Sequence, residues 1–177
     1  MKKQLALIVA FGLFSIPAMA QGIGEKTGVN AMVGASPSTP DFVKTAAISD
    51  MFEIESSKLA EQKSDAASKK FAAKMIADHS KTSAELKQIA PKAKAEIPAA
   101  LDSAHQSKMD TLKGLSGADF DRQYDQMQVE AHENAVSLFE RYAQGGDNSA
   151  LKAFAQKHLP HLRGHLKMAK ELKTAAR

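Results

Sequence analysis

Residues 131–165 read "AHENAVSLFERYAQGGDNSALKAFAQKHLPHLRGH", and this stretch decides the fold. In its first half Ala135, Val136, Phe139 and Tyr142 fall on one face of a helix. In its second half Leu151, Phe154 and Leu162 do the same. Between the halves stands Gly-Gly-Asp-Asn, and a link of about four residues forces two such helices to lie antiparallel and adjacent. Gly145-Gly146 is read as the helix end, relieving left-handed strain at the C-cap. Asp147 is read as the cap of the next helix. No stretch of useful length alternates with period two, so sheets and barrels are excluded.

Upstream the same period recurs. Thr39 is taken as the N-cap, with Pro40 at the first helical position. The helix it opens runs to about Gln62 with Ile48, Phe52 and Leu59 on its apolar face. Ser64 or Asp65 caps a second helix carrying Phe71, Ala72, Met75, Ile76, Leu86 and Ile89, with Pro91 and Pro98 bracketing its end. A short helix over about 99–113 bears Leu101, Met109 and Leu112. Ser116 and Asp119, three apart, resemble a capping box before the helix of Phe120 and Tyr124. The expectation is an all-α, four-helix bundle with one additional short helix, spanning 41–177.

The chain begins "MKKQLALIVAFGLFSIPAMA". Two lysines, an apolar run too short to span a bilayer and Ala18-Met19-Ala20 read as a signal peptide, residues 1–20, for export to the periplasm or beyond. No later stretch is apolar enough for a transmembrane helix. Residues 21–40, rich in Gly, Ser, Thr and Pro, read as a flexible linker. The chain has no cysteine, which removes thiolate metal sites, disulfides and a lipid anchor. Without Lys2 and Lys3, 22 basic residues face 20 acidic ones, mixed in sign along the chain. That balance gives nucleic acid no basic patch to bind. No particular protein partner is indicated.

The histidines carry the chemistry. At ~100° per residue, His79, His132, His158, His161 and His165 all share faces with large apolar residues, as do Glu55 and Asp125. Glu53, Glu130 and Glu133 point the other way. With the turn centred between Gly145 and Gly146, His132 stands opposite residue 159, level with His158 and His161. His79 reaches that height on the second helix. A second layer of Glu55, Asp125 and His165 forms only if the 90–116 connection crosses the bundle. Pro160 removes one backbone hydrogen bond and is expected to kink the last helix beside His158.

Several segments resemble a secreted bacterial family known as domain of unknown function 4142 (DUF4142). They are "EIESSKLA", "FAAKMIADHS", "GADFDRQYDQMQVEAH" and "LKAFAQKHLPHLRGHLKMA", and the likeness covers nearly all of 41–175. The resemblance implies a ferritin-like bundle with Glu55, His79, His132 and His165 at polar interior positions. It implies no established activity. The Glu-x-x-His pairs of di-iron ferritin-like proteins are missing, since Ile76 and Leu162 stand three residues before His79 and His165.

Three functions follow as expectations. In the first, imidazole and carboxylate bind a divalent transition metal such as Zn, Cu, Ni or Fe. In the second, the same groups form a metal-free hydrogen-bond network that fixes the register of a structural protein. The third is an interaction module of the cell envelope, linked to stress. No glycine-rich phosphate loop, nucleophile elbow or cysteine nucleophile points to an enzyme.

Overall fold

Helical periodicity and capping residues divide the described residues into five α-helices. The computed structural model describes residues 34–175. The expected signal peptide and most of the expected linker lie outside them. The helices are α1 (Thr39–Lys63), α2 (Ala66–Ile89), α3 (Ser103–Gly114), α4 (Gly117–Gly145) and α5 (Ser149–Ala175), with a 3-10 turn at Ala90–Ala93. Among the described residues there is no strand, and no helix is long and apolar enough to cross a membrane.

Short links make two antiparallel hairpins, α1–α2 and α4–α5. Side-chain contacts set how the hairpins pair. Ser57 meets Tyr124 and Thr39 meets Tyr142, so α1 runs antiparallel to α4. Glu85 meets His158 and Asp78 meets His165, so α2 runs antiparallel to α5. Helices α2 and α4 therefore point the same way, and residues 90–116 must travel the length of the bundle between them. The crossover carries α3 along the outside of α1 and is pinned at its far end by Lys63, whose Nζ donates to the carbonyls of Lys113 (2.7 Å) and Leu115 (2.8 Å). The bundle is all-α, with one long crossover joining its two hairpins.

Several local expectations change. Ser38, not Thr39, caps α1, accepting from the Asp41 amide. The Thr39 hydroxyl is buried and engages Tyr142 and Asp147 instead. Asp65 caps α2 and Ser64 closes α1. Ser116 precedes α4 without a side-chain cap, and the turn there uses Gly117 at φ +56°. Asn148 caps α5, because Asp147 is taken by Thr39. Gly146 has φ −61°, so left-handed strain is not what it relieves. A Cβ there would lie 2.6 Å from both the ring and the carbonyl of Tyr142, and close packing is what demands glycine. Residues 35–38, read as linker, pack on the bundle: Pro37 is buried and Arg141 donates to the Ala35 carbonyl at 2.8 Å.

The core is in two parts. One apolar cluster gathers Phe42, Leu86, Phe139, Tyr142, Phe154 and Leu162. The other gathers Phe52, Phe71, Met75, Tyr124, Val129 and Ala169. On each long helix a buried polar residue (Asp50, His79, His132 or His165) stands between the two clusters, and that layer is the candidate site.

Candidate metal centre

Each long helix contributes one row of inward residues at alternating spacings of three and four, the seam pattern of packed helices. On α1 the row is Val43, Ala46, Asp50, Glu53, Ser57 and Ala60, all buried. On α2 it includes Ala72, Met75, His79 and Leu86. On α4 it runs through Gln128, His132 and Ala135, and on α5 through Leu162, His165 and Ala169. At one level these rows deliver Asp50 and Glu53, His79, His132 and His165 to the bundle axis.

The three rings form a nearly equilateral triangle. Centroids are 5.6 Å apart for His79–His132, 5.4 Å for His79–His165 and 5.5 Å for His132–His165. One ring nitrogen of each lies within 4.8 Å of the other two. One nitrogen of each ring is tied to an acceptor. His79 Nδ1 donates to Asp50 Oδ1 at 2.8 Å, and Asp50 Oδ2 accepts from Ser83 Oγ at 3.0 Å. His132 Nδ1 donates to the Gln128 carbonyl at 2.8 Å. His165 Nε2 donates to Asp78 Oδ2 at 3.1 Å. A carboxylate or carbonyl accepts, so each outer nitrogen carries a hydrogen, and in the neutral ring the inner one presents a lone pair.

The inner nitrogens, His79 Nε2, His132 Nε2 and His165 Nδ1, are buried with no hydrogen-bond partner. Both oxygens of Glu53 are likewise buried without a hydrogen bond of normal geometry, and Oε1 lies 3.7 Å from His132 Nδ1. Each such atom costs about 1–3 kcal/mol relative to a satisfied one. A cation at the centre of the triangle would satisfy the three ring nitrogens together. The outward hydrogen bonds are the carboxylate–histidine and carbonyl–histidine supports that orient imidazole ligands. An imidazole-only inner set suits Zn, Cu, Ni or Fe rather than Mg or Ca.

The electrostatics set His79 apart from the other two rings. Burial pushes the His132 pKa down to about 3, helped by the charge of His79. Burial followed by His79 pushes His165 down to about 4. His79 is also opposed by burial, yet the hydrogen bond and charge of Asp50, with Glu53 and Asp78, hold its pKa above the ordinary value. Burial raises Glu53 to about 7, partly offset by His79. Three carboxyl groups thus favour a proton on His79, which a metal ion would displace from its inner nitrogen, while desolvation keeps His132 and His165 neutral.

The sequence-predicted residues divide. His79, His132 and His165 come together. His158 is buried nearer the turn, where its Nε2 meets Glu85 Oε2 at 3.0 Å. His161 is exposed, about 60° round the helix from His158 and just past the buried arc. Asp125 is buried one layer away and bonds to Ser68 Oγ at 3.4 Å, so the conditional layer of Glu55, Asp125 and His165 does not form even though the crossover exists. Glu55 is exposed and Glu53 takes the interior position. Ile48, Phe52 and Glu55 lie on the far side of α1 from its seam, and Phe52 packs beneath α3 against His105 and Lys108. Helix α5 continues through Pro160 without interruption.

The height error has a geometric cause. The turn centres near residue 147, leaving His132 15 residues before it and His165 18 after it. Helical side chains lean toward their own N-terminus. On antiparallel helices those leans converge, closing an offset of about 4.5 Å at 1.5 Å per residue. His158, only 11 residues past the centre, cannot reach. Asp50, Glu53, Asp78 and Glu85 were missed. The signal available was the 3–4 spacing of small and polar residues around Asp50 and Glu53.

A family model described as "Domain of unknown function (DUF4142)" matches residues 24–172, beginning inside the stretch read as linker. Comparisons with curated proteins and with solved structures find no match.

Proposed function

The chain belongs to the DUF4142 family, and we propose that it holds a single divalent transition-metal ion inside its helical bundle, through His79, His132 and His165. One observation carries this reading: three buried rings each bring a nitrogen within 4.8 Å of the other two, and each ring has one nitrogen without a hydrogen-bond partner and one held by an acceptor. Asp50 and Asp78 orient their rings and, with Glu53, balance the ion's charge. The proposal is binding, and no reaction is assigned. It includes export: residues 1–20 act as a signal peptide, so the ion would be met in the periplasm or outside the cell.

The direct test is elemental analysis of the mature protein purified without a histidine tag. About one equivalent of Zn, Cu, Ni or Fe per chain is expected, and none in a His132→Ala, His165→Ala variant. A folded wild-type chain that takes up no such metal and melts identically with and without chelator rejects the proposal.

A second reading is favoured by the division of the core. The polar layer separates two apolar clusters, and its flanking bonds Gln128–Ser56 (3.2 Å) and Ser57–Tyr124 (2.9 Å) fix the register of α1 on α4. Here the layer is a metal-free specificity device.

A further inference from the structure

The three histidines differ in what stands behind them. Behind His132 is a backbone carbonyl of its own helix, and beside it Glu53, 1% exposed. Behind His79 is Asp50, whose side chain is 7% exposed. Behind His165 is Asp78, 26% exposed and bridged to solvent-facing Lys74 at 2.7 Å. The apolar clusters close the site above and below. Only at His165 is a candidate ligand separated from water by one partly exposed carboxylate.

That opening lies on the α2–α5 seam, where the backbones approach least closely of the four seams between adjacent long helices. The seam carries further metal-binding groups leading away from the site. One turn beyond His165 is His161, exposed, and beyond it His158, 11% exposed, facing Glu85, 31% exposed. The rings of His158 and His161 are 6.4 Å apart. Glu85 also holds Lys157 at 2.7 Å, a contact between exposed groups that is cheaply exchanged. Acidic and imidazole groups therefore run from the surface to the back of the one triad residue with a wet neighbour.

We propose that the α2–α5 seam is the route by which the metal reaches the bundle interior. Glu85, His158 and His161 form the outer station, and the His165–Asp78 pair forms the gate. The inference rests on the metal reading of the triad. A hydrated dication is held first by the Glu85 carboxylate and the two outer imidazoles. It then passes inward when His165 leaves Asp78 and turns. The final site remains the triad, so the outer groups set the rate of loading and not its endpoint.

The test is the kinetics of Co²⁺ entry into the metal-free full-length mature protein, followed by the cobalt absorption band. A Glu85→Gln, His158→Gln, His161→Ala variant is compared with wild type and with Glu133→Gln, Lys170→Ala on the opposite α4–α5 seam. The outer-station variant is expected to load about tenfold more slowly and, because the endpoint is unchanged, to release Co²⁺ to chelator more slowly by the same factor. The opposite-seam variant is expected to match wild type. Unchanged loading in the outer-station variant overturns the route while leaving the triad reading intact. Loss of final affinity in that variant also overturns it, since those residues would then be ligands. Absence of Co²⁺ binding by wild type removes the triad reading itself.

Discussion

Replacing His132 by leucine separates a metal centre from a structural polar layer. The inner nitrogen of His132 is buried without a partner, and its outer one bonds only a carbonyl of the same helix. Leucine is of similar volume, so the variant should remove about 1–3 kcal/mol of unsatisfied polarity against a repacking cost below about 1.5 kcal/mol. The net gain for the metal-free protein is about 1–2 kcal/mol. Unfolding entropy near 2.1 cal/mol/K per residue, over the described residues, turns that into a rise in Tm of about 3–7 °C. In excess metal the order reverses. Wild type gains about 4 kcal/mol at a metal concentration one thousand times Kd, roughly 13 °C, and the variant gains little. The pH limb gives a second check. A ring whose folded pKa is near 3 stays neutral while the unfolded chain takes up a proton below about 6.5. Metal-free wild type should therefore lose stability as pH falls from about 6.5 toward 3, by up to ~4 kcal/mol from this residue, and the variant should lose less. Thermal melts in chelator, in Zn²⁺ and across pH 4–8 measure all three. A variant less stable than wild type by the same margin in chelator and in Zn²⁺ would refute the metal reasoning and favour the structural layer.

Glu53→Gln should weaken metal affinity about 10–100-fold by titration, whereas Glu55→Gln on the exposed face should leave it unchanged. Asp125→Asn should stabilise the protein above pH 7 by at most about 3 kcal/mol. Burial, then the neighbouring Asp121 and Asp65, raise the Asp125 pKa to about 6, so its stabilising protonated form is complete below about pH 4 and lost as pH rises through 6. Equal melts of the two proteins at pH 4 and pH 8 would contradict that sign. Gly146→Ala should cost about 1–3 kcal/mol in denaturant unfolding, because its Cβ meets Tyr142 rather than open space.

The hairpin of α4 and α5 was legible because large apolar residues repeat at helical spacing on either side of a four-residue turn. Helix α1 was misread for the same reason. Ile48, Phe52 and Leu59 mark a face on the far side from the seam, while the seam uses Ala46, Asp50, Glu53 and Ser57. A four-helix layer with metal-ligating groups at its centre needs small and polar residues there, and hydrophobicity-weighted periodicity is blind to them. The crossover was one of two open connections, since nothing local in residues 90–116 reveals that α3 covers α1. His79 and His132 were placed in one layer by counting residues from helix ends. His165 reaches the same layer because the turn centres near 147 rather than between Gly145 and Gly146, and side-chain lean closes the remaining three residues.

The most direct measurement is an anomalous-scattering crystal structure of the metal-loaded protein. One peak is expected on the bundle axis, bonded to Nε2 of His79, Nε2 of His132 and Nδ1 of His165, with Asp50 and Asp78 still behind their rings. A peak confined to His158 and His161 at the surface, or a loaded crystal with no peak between the three rings, would contradict it.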